Sequence, residues 1–281
     1  MVQAEDSTGY SSTTIEVANR CFPRGDFRAA IFDFDGTLSL LRRNWQDIMI
    51  PMMVDVLSAT GTAESRAELH QVVEDYVMRL NGRQTIYQMI RLAEEVAKRG
   101  GTPREPLDYK HQYHDLLWAE VGVRVDNVRN GSVEPEVMTV PGSRALLQRL
   151  QRAGLALYLA SGTDLKYVRD EVGLLGLADY FGHNIYGALD DYRRFSKAMI
   201  IHQMIQDTGL PGRHIVAFGD GFVEIEETKK VGGLAIGVAS NETTREGINA
   251  WKRKRLLAAG ADIIVGDYRC LDTLMEMIGI P

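Results

Sequence analysis

Short apolar runs rich in β-branched and aromatic residues recur along the chain, and such runs are typical of buried strands. They are AAIFDF ending at Phe34, LALYLA ending at Ala160, HIVAFGD from His214, LAIGVA from Leu234 and DIIVG from Asp262. Between them lie segments with helical spacing of apolar residues, which begin at Gly142, Asp164, Ser196 and Glu242. Strands that alternate with helices predict an α/β fold, in which a parallel sheet is covered by helices on both faces.

One long region, from about Asn44 to Glu134, interrupts this alternation with helical patterns only. Four candidate helices follow one another there, each ended by a glycine, and they begin at Trp45, Glu64, Gln84 and Glu105. We therefore expect a smaller α-helical domain over residues 43–134, inserted into a core domain formed by residues 27–42 and 135–281. Residues 1–26 are expected to form an N-terminal extension, disordered up to about Thr13.

Composition and charge restrict the class of protein. The 281 residues are 45% hydrophobic and 25% charged, which is ordinary for a folded domain, and the net charge of −6 argues against binding nucleic acid or anionic membrane by bulk electrostatics. No stretch resembles a signal peptide or a membrane span, and Cys21 and Cys270 are too far apart in sequence to suggest a disulfide framework. We expect a cytoplasmic protein without nucleic-acid or membrane partners, while its oligomeric state is left open.

A basic run from Lys252 to Arg255 lies within the last helical pattern. On an acidic chain, four such cations are most often a solvated helix face. We therefore interpret this run as a solvent-exposed helix face.

Polar residues directly follow three of the predicted strands, where the carboxyl ends of parallel strands meet at one edge of the sheet. They are Asp33, Asp35 and Thr37 after the first run, Ser161, Gly162 and Thr163 after the second, and Asp220 and Glu224 after the third. Lys197 begins the helix that precedes the third strand. We expect these side chains to converge on one crevice.

The acidic members of this set predict a metal site. Residues two apart in an extended chain point the same way, so Asp33 and Asp35 can face one crevice, and a glycine then lets the backbone turn. Joined by Asp220 and Glu224, they would raise one another's pKa unless a cation lay among them. Donors that are all oxygen favour Mg²⁺.

The remaining members suit an anion. Ser161 and Gly162 follow a strand and open a helix, so their N–H and hydroxyl groups can bind phosphate, and Lys197 supplies positive charge. An aspartate nucleophile, a second carboxylate, an anion site, a lysine and a metal together indicate phosphoryl transfer through an acyl-phosphate.

The order and spacing of these pieces resemble the haloacid dehalogenase superfamily, most of whose members are phosphatases. The resemblance rests on DFDGTL from Asp33, ASGTD from Ala160, Lys197 in RFSKAMI and GDGFVE from Gly219, and it spans the chain from about Ala29 to Gly266. It implies a Rossmann-like core, with the helical insert as a mobile cap.

The resemblance also implies the catalytic roles. Asp33 corresponds to the nucleophile that attacks phosphorus, and Asp35 to the general acid and base. An acid at position 35 disfavours the dehalogenase branch of the family, which lacks one there, and the phosphonate hydrolases, which carry a small residue.

The binding residues are carried over in the same way. Mg²⁺ would take the carboxylates of Asp33 and Asp220 and the backbone carbonyl of Asp35. Glu224 stands where the metal motif more often has aspartate, and it would reach the metal directly or through water. Ser161 and Lys197 would hold the phosphoryl oxygens, and the phosphate-binding set also includes Thr37 and Gly162.

Four further residues are candidates for substrate contacts because they lie where the core meets the insert or in a break between insert helices. They are Arg42, Arg43, Trp45 and Arg83. Ordinary hinge and loop roles are the alternative for each.

The sequence thus predicts a Mg²⁺-dependent phosphatase acting on a small phosphorylated metabolite through a phosphoaspartate. Two alternatives stay open. A sugar phosphomutase of the same superfamily would use the same two aspartates and need a bisphosphorylated activator, and a phosphate-responsive regulatory protein would bind phosphate without steady turnover.

Overall fold

A computed structural model describes residues 15–189, 193 and 196–281. The segment expected to be disordered up to about Thr13 lies outside these residues. A seven-stranded sheet forms the centre of the core, with the strands in the order β1-β7-β6-β5-β2-β3-β4. The strands are β1 (Ile15–Val17), β2 (Ala29–Phe32), β3 (Ala156–Asp164), β4 (Ile185–Ala188), β5 (Ile215–Gly219), β6 (Leu234–Val238) and β7 (Ile263–Val265).

Strands β2 to β7 run parallel, as the sequence predicts, whereas β1 pairs antiparallel with β7 at one edge. β2 lies between β3 and β5, and Phe32 is in register with Leu159 on one side and Phe218 on the other. Asp33 after β2 and Asp220 after β5 therefore emerge close to the level of Ser161. The expectation that Ser161 and Gly162 follow the strand and open a helix is wrong, because β3 continues to Asp164 and the next helix begins at Leu165. The sequence pattern did not predict β1 or β4, since three or four residues carry too little periodicity.

Four helices connect β2 to β3 and form the helical insert: α1 (Gln46–Ser58), α2 (Arg66–Leu80), α3 (Thr85–Lys98) and α4 (Pro106–Arg129). The expected end of the fourth helix at Gly122 is wrong. α4 continues through this glycine because Val121, Val125 and Val128 extend the buried face by two more turns.

In the described part of the core, seven further α-helices are present: α5 (Ser143–Arg152), α6 (Leu165–Leu174), α7 (Ala178–Phe181), α8 (Lys197–Thr208), α9 (Phe222–Lys230), α10 (Ala250–Ala258) and α11 (Leu271–Ile278). The helix expected from Glu242 begins only at Ala250. Asn249 sets this start, because its side chain accepts a hydrogen bond from the Lys252 backbone N–H and so caps the helix.

Both faces of the sheet are covered, as predicted. Phe32 lies within the largest buried cluster and stacks on Phe218 with ring centroids 4.7 Å apart, while Ile31 points the other way and packs near Ile201 of α8. The α/β fold with a second, smaller helical domain is thus confirmed. Within the described part of the chain, no helix is long and apolar enough to cross a bilayer.

The helical insert lies over the carboxyl ends of the central strands, and three polar contacts fix it there. The Lys110 ammonium of α4 lies 2.5 Å from the Asp164 carboxylate at the end of β3. Arg124 of α4 donates to the Leu41 carbonyl at 2.9 Å, and Arg255 of α10 donates to the Asn81 carbonyl after α2. The insert thereby covers the edge of the sheet where the predicted site residues emerge.

Candidate active site

A cavity of about 90 Å³ lies between the carboxyl ends of the central strands and the helical insert. Most of the residues predicted from the sequence meet there. Those that line it are Asp33, Asp35, Arg42, Trp45, Arg83, Gly162, Lys197 and Asp220. Ser161, Thr37 and Glu224 are buried next to these residues. The convergence expected from strand ends is therefore observed.

Asp33 is the first residue after β2, and both of its carboxylate oxygens have partners. Oδ1 accepts a hydrogen bond from the Phe34 backbone N–H at 2.8 Å, and Oδ2 lies 2.8 Å from Nζ of Lys197. Burial raises the pKa of Asp33 well above its usual value; the charge of Lys197 opposes this shift, and the neighbouring Glu224 and Asp220 add to it. The carboxylates are crowded enough that an additional cation would be stabilising.

Lys197 begins α8 and is held by two acids. Its Nζ lies 3.0 Å from Oε2 of Glu224, whose Oε1 accepts from the Gly221 backbone N–H at 2.9 Å. Burial disfavours the charge of Lys197, but Asp33 and Glu224 outweigh that effect and raise its pKa. Glu224 therefore fixes a permanently charged ammonium group against Asp33.

Asp35 follows two residues later, and its two oxygens differ. Oδ2 accepts a hydrogen bond from Oγ1 of Thr163 at 2.8 Å and a longer one from Oγ of Ser161 at 3.4 Å. Oδ1 is enclosed, with no hydrogen-bond partner among the described residues. Burial raises the pKa of Asp35, while the charge of Arg42 opposes the shift. A raised pKa keeps more of this carboxyl protonated, as a general acid requires.

Arg42 is buried beside Asp35 and is paired with Glu171. Its Nη2 lies 2.5 Å from Oε1 of Glu171, and its Nε is 3.1 Å from both carboxylate oxygens. The sequence reasoning missed Glu171, which is 129 residues away from Arg42 and matches no motif. The pair brings a cation to the cavity wall without leaving a buried charge unpaired.

Asp220 follows β5 and contacts the turn that follows β2. Its backbone N–H donates to Oγ1 of Thr37 at 3.0 Å, which places the fully buried Thr37 hydroxyl against this backbone. Gly36 has φ +73°, and a Cβ built there would lie 2.3 Å from Oδ2 of Asp220. The glycine is thus required both by the turn and by the close approach of this carboxylate.

Lys252 lies on the other side of Asp220. Its Nζ is 2.8 Å from Oδ2 of Asp220, and the side chain is only 5% exposed. The interpretation of this lysine as part of a solvated face is therefore wrong. The sequence does carry a signal, because Lys252 is four residues before the buried Leu256 and so shares its helix face.

The acids fit a divalent cation. Asp33, Asp220 and Glu224 each offer a carboxylate oxygen, and these atoms lie within 4.8 Å of one another. All are hard oxygen donors, the type of ligand that Mg²⁺ prefers. The donor set is therefore one that a Mg²⁺ ion would fit.

A loop of the insert closes directly on the core. A Cβ on Gly82 would lie 3.0 Å from the Gly221 Cα, and a Cβ on Gly162 would lie 2.9 Å from the Arg83 carbonyl oxygen. The Arg83 guanidinium also lies over the ring of Phe222, 5.9 Å from its centroid. The backbones of the insert and the core are therefore in contact at the rim of the cavity.

Arg43, another predicted substrate contact, is placed differently. Its carbonyl accepts a hydrogen bond from Arg124 of α4 at 3.2 Å, and it is half-buried at the start of the insert. Arg43 does not line the cavity formed by the described residues.

Comparison with known proteins shows the family to which this chain belongs. The family model described as haloacid dehalogenase-like hydrolase matches residues 27–232. No curated protein sequence is significantly similar to this chain.

Solved structures share the fold at low sequence identity. One described as a predicted phosphoglycolate phosphatase from Haemophilus somnus is 16% identical with a TM-score of 0.58, over 89% of this chain and 98% of that one. A predicted phosphatase from Clostridium acetobutylicum is 18% identical with a TM-score of 0.56, over 89% and 99%. A β-phosphoglucomutase from Clostridium difficile is 14% identical with a TM-score of 0.58, over 90% and 97%.

Proposed function

Because this chain belongs to the haloacid dehalogenase-like hydrolases, we propose that it is a Mg²⁺-dependent phosphatase that hydrolyses a small phosphomonoester through a phosphoaspartate on Asp33. The observation that carries this proposal is the 2.8 Å contact between Asp33 and Lys197, with Asp35 in the same cavity. A nucleophile, a fixed cation and a second carboxyl are the groups that two-step phosphoryl transfer needs.

In the first step, a carboxylate oxygen of Asp33 attacks phosphorus, and the bond from phosphorus to the leaving alkoxide breaks. Lys197 and the Phe34 N–H hold the carboxylate, which limits the rotation that would misdirect the attack. Asp35 gives its proton to the leaving oxygen, so an alcohol departs. Lys197 also faces the cavity, where it can hold a phosphoryl oxygen.

In the second step, Asp35 takes a proton from a water molecule, whose oxygen attacks phosphorus and releases phosphate and free Asp33. The two oxygens of Asp35 suggest how one group serves twice. Thr163 and Ser161 orient the carboxyl through Oδ2, whereas Oδ1 has no partner among the described side chains and is the oxygen we assign to proton transfer.

The carboxylates of Asp33 and Asp220 and the backbone carbonyl of Asp35 would hold Mg²⁺. When bound, the ion neutralises charge on the phosphoryl oxygens. We assign Glu224 chiefly to holding Lys197, since both of its oxygens are engaged, and Thr37 to holding the backbone of Asp220. Ser161 and Gly162, near the carboxyl end of β3, remain the proposed phosphate-binding residues.

We assign residues 43–134 to a cap and residues 27–42 and 135–281 to the catalytic core. The cavity under this cap is about 90 Å³, and the insert loop that carries Gly82 lines it and lies against the core at Gly221, which supports a small substrate. Arg42, Trp45 and Arg83 line the cavity and are the proposed substrate contacts. We also propose a cytoplasmic location, because two cysteines this far apart in sequence suggest no disulfide framework.

The proposal is tested by phosphate release from a panel of sugar phosphates, nucleotides, phosphoglycolate and phosphorylated amino acids, with and without Mg²⁺. Steady release from at least one small phosphomonoester, dependent on Mg²⁺ and absent in Asp33→Asn, is the expected result. No release from any member of the panel would favour the regulatory alternative. Conversion of a sugar phosphate to its isomer, dependent on a bisphosphorylated activator, would indicate a phosphomutase.

A further inference from the structure

Lys252 holds a buried ammonium group that the proposed mechanism does not use. Its Nζ lies 2.8 Å from Oδ2 of Asp220, 2.6 Å from Oε1 of Glu242 and 3.2 Å from Oγ of Ser240. Ser240 and Glu242 come from the segment between β6 and α10, which lies outside every motif identified in the sequence. Three oxygen atoms therefore surround one ammonium group at the edge of the candidate site.

These contacts fix the orientation of Asp220. The Thr37 hydroxyl accepts a hydrogen bond from the Asp220 backbone N–H, and the Lys252 ammonium contacts Oδ2 of the Asp220 side chain. Ser240 also donates to the Gly36 carbonyl at 2.5 Å, which ties the same segment to the turn that carries Asp35. Asp220 is left one carboxylate oxygen that Lys252 does not occupy.

The same contacts affect the charge of the site. An ammonium group next to Asp220 repels any cation that shares this carboxylate, and burial weakens the screening of that repulsion. Glu242 lines the cavity and lies against Lys252, so its negative charge offsets the repulsion. The lysine and the glutamate therefore act on a bound cation in opposite directions.

We propose that Lys252 is a positioning residue for Asp220 and that the Lys252–Glu242 pair sets the affinity of the site for a divalent cation. The inference rests on the proposed function, in which Asp220 is a metal ligand. Lys252 restricts Asp220 to one free oxygen and weakens cation binding, and Glu242 partly restores it.

Mn²⁺ binding to the full-length protein without substrate, followed by electron paramagnetic resonance, tests this directly. Lys252→Met is expected to tighten Mn²⁺ binding by roughly tenfold and Glu242→Gln to weaken it by roughly tenfold, since each removes one unit charge from a poorly screened site. The double variant returns to within about threefold of wild type. The half-saturating Mg²⁺ concentration for phosphate release should move in the same directions.

Two matched variants control the experiment. Lys254→Met removes the same charge from an exposed position of the same helix and should leave the Mn²⁺ affinity unchanged. Lys252→Arg keeps the charge and should bind Mn²⁺ within about threefold of wild type. Thermal melting identifies any variant that does not fold. If Lys252→Met is one of them, the Mn²⁺ affinities of Glu242→Gln and of the double variant still test the inference.

The opposite signs distinguish this inference from a merely structural role, because loss of stability would move both single variants the same way. Unchanged affinity, or a shift of both variants in one direction, overturns it. If wild type itself binds no Mn²⁺, both the metal site of the proposed function and this inference fail. If wild type binds Mn²⁺ and the variants match it, only this inference fails.

Discussion

Nζ of Lys197 lies 2.8 Å from Oδ2 of Asp33 and 3.0 Å from Oε2 of Glu224, so one buried ammonium group joins the start of α8 to the end of β2 and the first turn of α9. The neighbouring acids keep this lysine charged despite its burial. The lysine in turn lowers the pKa of Asp33 against the larger effect of burial. The ionised form of Asp33, which a nucleophile requires, thus depends on Lys197 and on any further cation in the site.

Asp33→Asn tests the nucleophile. An amide is a poor nucleophile toward phosphorus, so kcat for phosphate release should fall by at least about 10⁴-fold. The amide can still accept from Phe34, and relief of carboxylate crowding should hold the melting temperature at or above that of wild type. Asp75→Asn removes the same charge from an exposed position on α2 and should leave kcat unchanged. Near-native turnover of Asp33→Asn would show that another group attacks phosphorus.

Glu171→Gln tests whether the Arg42–Glu171 pair tunes Asp35. The positive charge of Arg42 lowers the pKa of Asp35, and the negative charge of Glu171 partly cancels this effect. Replacing Glu171 by a neutral amide removes the cancellation, so the pKa of Asp35 should fall. Asp35 must be protonated in the first step, and activity is lost as the pH rises through its pKa. The alkaline limb of the pH profile of kcat should therefore move down by roughly half a pH unit.

The control for this shift is Asp170→Asn, on the same helix but exposed and paired with Arg129. It should leave the alkaline limb within experimental error of wild type. Glu171→Gln leaves the buried charge of Arg42 without its counter-ion, so a loss of about 3 kcal/mol of folding stability is also expected. An alkaline limb that stays fixed, or moves to higher pH, would contradict the proposed coupling.

Gly82→Ala tests whether the loop of the insert must close on the core. Gly82 has φ +92°, and a Cβ there would lie 3.0 Å from the Gly221 Cα. Gly61 has φ +77° with nothing within 4 Å, so Gly61→Ala suffers a similar backbone strain without the contact. We expect kcat/KM to fall about tenfold in Gly82→Ala and to change less than twofold in Gly61→Ala. Equal effects in the two variants would show that the contact of this loop with the core does not contribute to activity.

The site residues that could be predicted from the sequence are those that a local sequence pattern indicates. Asp33, Asp35 and Asp220 each follow an apolar run closely, and parallel strands bring such positions to one edge. Lys197 was placed by its position at a helix start. The family motifs added roles, but the positions already followed from strand ends.

The parts that were missed depend on contacts between distant segments. Glu171 pairs with Arg42 across 129 residues, and Glu242 reaches Lys252 from a segment expected to be helical. A charged residue at a buried helix position reads as a surface residue until its partner is known. For the fold, the missed strands β1 and β4 are short, and the length of α4 depends on a buried face that overrides the glycine at position 122.

The most direct test of the central claim uses Asp35→Asn, in which the proposed base for phosphoenzyme breakdown is absent. The variant is incubated with Mg²⁺ and an aryl phosphate that the wild type hydrolyses, because a phenolate leaves without a proton from Asp35 and only phosphoenzyme breakdown then lacks its catalyst. The reaction is quenched in acid, and the peptides are examined by mass spectrometry. The account predicts the mass of one added phosphoryl group on the peptide that contains Asp33, at a steady-state level above that of wild type, and loss of this label in Asp33→Asn/Asp35→Asn. Phosphate release from Asp35→Asn at the wild-type rate, or a phosphoryl group on any residue other than Asp33, would contradict it.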